Sequence, residues 1–336
     1  MRDDPRVVVQ IPCRDEVATI AAVIEAVPRG WTARGEREIS DVTILVLDDG
    51  STDGSAEAAR AAGAEVVTPG RAVGLARIFR FGLDEALARD ADIVVNLDAD
   101  GQYDPAEIPA LVQPLLDGKA ELVLGARPVA TTPHFSWLKR RLQVAGSRLV
   151  ELCSGLKVSD ATTGFRALGR EAALRLNVHT DFTYTLETLI QAGQAGLRVA
   201  EVRARQRPVA RPSRLASSAP VYLWRSLCTA PRMVLLYRPL ASFACAGALV
   251  AAPGVLLGLR YLYLMAEGEG RGHVQSLILC AILLLAGFQL LLAGLIGDVI
   301  AGNRRLGEES LRRLRDLDSR RAPANAEATP ASVLQE

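Results

Sequence analysis

Short β-branched runs alternate with helical stretches through the first part of the chain. Strands are predicted over 7–11, 42–47, 65–67, 93–97 and 121–125, and helices over 19–26, 55–62, 73–88 and 105–116. Pro105 opens the last of these helices, where its fixed φ suits a first turn. The alternation predicts an α/β fold, a Rossmann-like and mostly parallel sheet with helices on both faces. Past 125 the pattern loosens into a polar loop over 128–136, an amphipathic helix over 137–153, and a strand and helix within 163–176. The character changes again at 240. Residues 240–265 and 274–302 are almost continuously apolar, and each reaches the ~20 residues that cross a hydrocarbon core. Arg260 and Asp298 lie toward the ends of these stretches, where a polar head can reach the interface. Two transmembrane helices, about 240–265 and 274–301, are therefore expected. A soluble domain over 1–215 and a basic juxtamembrane segment over 216–239 precede them, and a tail over 303–336 follows. The Ala- and Pro-rich end after 321 reads as disordered.

The net charge of +1 over 336 residues conceals a local bias. Arg203, Arg205, Arg207, Arg211, Arg214, Arg225, Arg232 and Arg238 run into the first apolar stretch with no acid among them, and Arg304, Arg305, Arg312, Arg313 and Arg315 follow the second. Basic flanks of this kind mark the cytoplasmic face and bind anionic headgroups. The expected location is the cell membrane, multi-pass, with the soluble domain and both termini cytoplasmic, and with no nucleic-acid partner. Charged residues at 2–6 lead straight into the first strand, so no signal peptide is expected. The five cysteines form no C-x-x-C pair, and three histidines give no zinc-ligand spacing.

Open α/β sheets bind ligands beyond the carboxyl ends of their strands, and the polar residues worth noting fall there. Asp98 and Asp100 end an apolar strand just before Gly101 and Gln102. Asp-x-Asp reads equally as a capped turn, but a hard cation such as Mg2+ or Mn2+ takes one or two carboxylates together with phosphate oxygens. Asp48 and Asp49 end the second long strand. Adjacent acids repel unless they hold donors, which a nucleotide's base or ribose hydroxyls supply. Ser51 or Asp53 is also a candidate cap for the helix that follows. Neither Walker glycines nor G-x-G-x-x-G occurs, which sets aside phosphate-loop and dinucleotide readings.

Four segments in order, Ile-Pro-Cys-Arg-Asp-Glu at 11–16, Asp-Asp-Gly-Ser-Thr-Asp-Gly at 48–54, Asp-Ala-Asp-Gly-Gln-Tyr-Asp-Pro at 98–105 and Asp-Ala-Thr-Thr-Gly-Phe-Arg at 160–166, are followed by the apolar pair. Together they resemble family 2, GT-A-fold glycosyltransferases, and within them the dolichol-phosphate mannosyltransferase and polyprenyl-phosphate glycosyltransferase group, over 7 to about 315. The resemblance implies that Pro12, Arg14, Glu16, Asp48 and Asp49 hold a nucleotide diphosphate sugar, and that Asp98, Asp100 and Gln102 serve the metal and diphosphate. It implies an acceptor-phosphate set of Arg127, Arg166, Glu187, Arg207, Arg211, Ser213 and Arg214, with Thr163 beside them. Asp100, Asp160, Arg127 and Arg166 would be catalytic. A role for Asp160 in fixing its own loop stays open beside a role in orienting the acceptor. Asp15 stands where relatives often carry Asn, Arg14 where an aromatic is common, and Arg214 where many have Lys.

The implied reaction is metal-dependent, inverting transfer of a sugar from a GDP- or UDP-linked donor to a polyprenyl phosphate, giving a lipid-linked sugar for envelope glycan or protein glycosylation. The resemblance also allows self-association through the membrane helices. Two alternatives remain at this point: a non-catalytic membrane sensor or scaffold for sugar nucleotides, and a polysaccharide synthase, for which the usual Gln-x-x-Arg-Trp motif is missing.

Overall fold

A computed structural model describes residues 4–35, 37–127, 151, 154–178, 184–205, 235, 237–268 and 274–326, with side chains through 317. The chain divides into two compact units, one comprising 1–212 with 308–336 and the other 213–307.

The first unit is built on a seven-stranded sheet. In chain order its strands are β1 (Val7–Cys13), β4 (Val42–Asp48), β5 (Glu65–Val67), β6 (Ile93–Asn96), β7 (Leu122–Ala126), β8 (Arg166–Gly169) and β9 (Val199–Arg203), arranged 5-4-1-6-8-7-9. A small antiparallel pair, β2 (Trp31–Thr32) and β3 (Glu38–Ile39), stands apart. The helices are α1 (Ile20–Ala26), α2 (Ser55–Ala61), α3 (Leu75–Ala88), α4 (Ile108–Leu116), α5 (Arg170–Arg175) and α6 (Tyr184–Gln194). β1 is buried at every position because parallel strands are covered on both faces, which explains a run that is apolar but for Gln10. Val9, Ile11, Ile24, Ile93 and Leu111 belong to one continuous core.

The mostly parallel sheet agrees with the sequence pattern, and β8 is the departure. It lies antiparallel between β6 and β7 and pairs with both. α6, β9 and the β2–β3 pair went unrecognised in the sequence, whereas the strand and helix expected within 163–176 correspond to β8 and α5. The polar loop at 128–136 lies outside the described residues, as does nearly all of the amphipathic helix at 137–153.

Strand order reverses between β1 and β6. From β1 the chain moves outward through β4 and β5, then returns to β6 on the other side. This is the switch point at which such sheets open a crevice. Pairing between β1 and β6 ends at Gln10 with Asn96, so Pro12, which lacks an N–H, lies beyond the last bond of that ladder.

The second unit contains two long apolar helices, α7 (Pro239–Ala266) and the start of α8 (Val274–Ala326), each long and apolar enough to cross a membrane. They approach through small residues. A Cβ on Gly247 would lie 2.7 Å from the Gly287 carbonyl, and one on Gly297 would lie 2.8 Å from Pro239. Leu249, Leu256, Leu262 and Ile296 are all more than 60% exposed, as expected of surfaces that face lipid.

α8 does not end near 301. It continues as helix to Ala326, beyond the point where the sequence reads as disordered, and residues 308 onward group with the first unit. Glu309 pairs with Arg312 and Arg313 one turn on, support that a free tail would lack. Arg315 donates to the Leu176 carbonyl (3.1 Å) and pairs with Asp84 of α3 at 3.0 Å.

Candidate functional site

The loops after β1 and β4 are laced together. The Asp15 N–H donates to Ser51 Oγ (3.0 Å), the Glu16 N–H to Ser55 Oγ (2.8 Å) and the Val17 N–H to Asp53 Oδ2 (3.1 Å), while Asp15 Oδ1 accepts from the Thr52 N–H (2.8 Å). Asp15 adopts φ 50°, a left-handed conformation that Asn and Asp tolerate best among residues with a side chain. This explains why Asp can stand here in place of Asn. The proposed capping by Ser51 or Asp53 is corrected. α2 starts after Gly54 (φ 87°) with no side-chain cap, and Asp53 holds Val17 on one side and the Ser55 N–H (3.0 Å) on the other.

The two aspartates at the end of β4 have different environments. Asp49 is buried and takes the Val73 N–H at 2.6 Å and the Gly74 N–H at 3.0 Å, with Arg14 3.9 Å away. The donors foreseen from a nucleotide are here supplied by the chain's own backbone, so Asp49 pins the segment leading into α3. Asp48 accepts only from the Ser51 N–H (3.0 Å, Oδ1), leaving Oδ2 without a hydrogen-bond partner among the described residues. Pro12 is buried within β1, and Arg14 and Glu16 stand on the laced loop beside it.

Across the switch point, β6 leads into Asp98 and Asp100. Asp100 Oδ1 accepts from the Gln102 N–H (3.0 Å), forming a tight turn through Gly101 at φ 72°. Burial, reinforced by the charge of Asp100, pushes Asp98 up to about 7, and burial also raises Asp100. Two acids held so close resist double ionisation unless a cation joins them. Among the described residues no group of three or more His, Cys, Asp or Glu could hold a metal, so what these residues offer is a pair of carboxylates. That donor set fits Mg2+ or Mn2+ completed by diphosphate oxygens and water.

Next to this pair sits a buried charged cluster. Arg127 grips Asp160 with Nε on Oδ2 (2.6 Å) and Nη2 on Oδ1 (3.0 Å), and Nη2 also reaches Thr162 Oγ1 (2.7 Å). For both partners burial opposes ionisation, but the mutual hydrogen bond and charge outweigh it, lowering the Asp160 pKa and raising that of Arg127. Asp160 Oδ1 also accepts from the Thr162 N–H (3.2 Å), so of the two roles left open the geometry favours loop fixing. Arg166, expected as an acceptor clamp, is fully buried. It donates to the Thr163 and Ala161 carbonyls and to Thr188 Oγ1, and burial lowers its pKa. Glu187 is fully buried on α6, where its Oε1 accepts from Gln191 Nε2 (3.4 Å). Arg166 therefore braces the loop from inside, and the Glu187 side chain is likewise covered by the protein. Thr163 Oγ1 donates to the Gly125 carbonyl (2.8 Å) and meets Tyr103 Oη at 3.0 Å. Arg207, Arg211, Ser213 and Arg214 lie outside the described residues.

Sequence reasoning missed Asn96 and Gly164. The signal for Asn96 was present, a carboxamide closing an otherwise apolar strand, Ile-Val-Val-Asn. For Gly164 there was none beyond its motif.

A family model described as Glycosyl transferase family 2 matches residues 8–176. Over 197 residues the chain is 36% identical to an uncharacterized glycosyltransferase of Mycobacterium tuberculosis, covering 58% of this chain and 83% of the relative. It is 28% identical over 208 residues to the undecaprenyl-phosphate mannosyltransferase of Micrococcus luteus, covering 59% and 82%. A solved structure, glucosyl-3-phosphoglycerate synthase of M. tuberculosis in complex with Mn2+, UDP and glucosyl-3-phosphoglycerate, superposes with a TM-score of 0.51 at 26% identity over 69% of this chain and 79% of that one.

Proposed function

Because the chain belongs to glycosyl transferase family 2 and carries its GT-A fold, we propose that this glycosyltransferase moves a hexose from a nucleotide diphosphate sugar to a polyprenyl phosphate at the membrane surface. One observation carries this reading. A nucleotide-sugar fold with an aspartate pair at its switch point is continued, in the same chain, by two helices apolar enough to cross a bilayer. The Mn2+ and UDP bound by the solved neighbour and the acceptor named for the M. luteus relative support the donor and acceptor halves respectively.

Asp98 and Asp100, with Gln102 beside them, would hold the divalent cation, which would supply charge stabilisation for the leaving diphosphate. Asp48 faces the nucleotide from the opposite loop. A phosphate monoester acceptor has a second pKa of ~6 and is largely ionised at neutral pH, so no strong general base is required of the protein. The harder task is to bring two anions together in a partly dehydrated cleft. Arg127 is committed to Asp160, so the acceptor's charge falls to Arg207, Arg211 and Arg214, which suit fork-shaped hydrogen bonds to phosphate. Catalysis is then mostly positioning and electrostatics, and the course is a single displacement with inversion. Both termini lie on the cytoplasmic side, in keeping with the arginines flanking the apolar stretches.

The test is transfer of label from a panel of UDP- and GDP-sugars into organic-extractable polyprenyl phosphate with Mg2+ or Mn2+, using Asp100→Ala as control. Metal-dependent label from one donor, lost in the variant, supports the proposal and names the sugar. Nucleotide binding without transfer from any donor would turn the assignment toward a sensor.

A further inference from the structure

Three buried polar side chains meet beneath the aspartate pair. Gln10 on β1 donates through Nε2 to Asn96 Oδ1 (2.9 Å), and Asn96 on β6 donates through Nδ2 to the Gly164 carbonyl (2.8 Å) and to Tyr184 Oη (3.2 Å). Gln10 and Asn96 are fully buried at the centre of the sheet, and Gln10 Oε1 has no hydrogen-bond partner among the described residues. Apolar residues in both places would cost the core less, so the polar pair calls for an explanation other than packing.

That explanation lies at the far end of the chain of bonds. Gly164 is packed so tightly on Asp98 that a Cβ there would stand 2.5 Å from Oδ2 and 2.8 Å from Oδ1. The carboxylate is thus seated on the Gly164 backbone. The position of that backbone is fixed by Asn96, with the Thr163 hydroxyl on Gly125 and the Arg166 guanidinium on the Thr163 carbonyl holding its neighbour.

We propose that Asn96 is a positioning residue which, through the Gly164 carbonyl, sets where the Asp98 carboxylate is presented to a divalent cation. The proposal rests on the metal reading given above. Partners one step removed from a ligand orient it, and losing them costs about 10- to 100-fold in metal affinity.

The experiment measures Mn2+ binding by the full-length chain in detergent, from the paramagnetic resonance signal of free Mn2+, with saturating UDP or GDP. Asn96→Ala and Gly164→Ala are expected each to weaken binding by roughly tenfold or more. The double variant should be little worse than the more affected single one, because both act on one seat. Gly169→Ala, whose Cβ would be 3.6 Å from its nearest neighbour, should bind as wild type does. Should Asn96→Ala fail to fold, the Gln10→Leu, Asn96→Leu double variant takes its place, since it keeps the core filled while removing the bond to the Gly164 carbonyl. Wild-type affinity in natively melting Asn96 and Gly164 variants, alongside loss in Asp100→Ala, overturns this proposal and leaves the metal reading standing. A wild-type protein that binds no Mn2+ with either nucleotide overturns both.

Discussion

Two acidic loops face one crevice, and the chain treats them in opposite ways. After β4, Asp49 is buried and satisfied by the Val73 and Gly74 amides. After β6, Asp98 is held near Asp100 with its pKa pushed to about 7. Both are Asp pairs at strand ends, so composition does not distinguish them. The difference is whether the protein supplies the compensating donors. Where it does, the carboxylate is a structural pin; where it does not, repulsion and burial are left for a ligand to relieve.

Substitutions can break or sharpen this contrast. Asp100→Ala should have the largest effect, lowering transfer by roughly a thousandfold, as removal of several kcal/mol of charge stabilisation implies, with an unchanged melting profile. Asp49→Ala should do the reverse. It removes the charged acceptor of two half-buried N–H groups and costs about 1–3 kcal/mol of stability, so melting falls first and activity follows the folded fraction. Asp48→Asn should raise the KM for the nucleotide sugar by up to about tenfold while leaving melting alone, the effect of one net hydrogen bond.

A further effect is one of pH. Asp98 binds its proton more tightly in the folded chain, at about 7, than in the unfolded one, near 3.8. Its contribution to stability is therefore present in full below about 3.8 and is lost as pH rises through about 7. With chelator present, wild type should fall progressively behind Asp98→Asn in thermal melting across that window, with a constant gap above it. A gap independent of pH would remove the argument that Asp98 is held in an environment hostile to its charge.

Most of the sheet was legible because β1, β4 and β6 carry their burial in local patterns of apolar residues. β8 and β9 were harder to read, because four or five residues of mixed character take their identity from neighbours far away in the chain. The positions of Asp98 and Asp100 at a strand end were likewise visible. The states of Arg127, Arg166 and Asp160 were not. An arginine near a phosphate site reads as an anion clamp, and only the fold reveals that Arg127 already holds a carboxylate 33 positions away and that Arg166 is sealed beneath its own loop. Asn96 and Gly164, 68 positions apart, form a pair for the same non-local reason.

The lacing of 15–17 to 51–55 has a kinetic consequence. Two loops that share their hydrogen bonds move as one body, so under the proposed function the floor of the nucleotide site is already in its final shape before anything arrives. Little ordering entropy remains to be lost there, and rapid mixing with nucleotide should give a single concentration-dependent phase from this part of the molecule, with no slow rearrangement behind it.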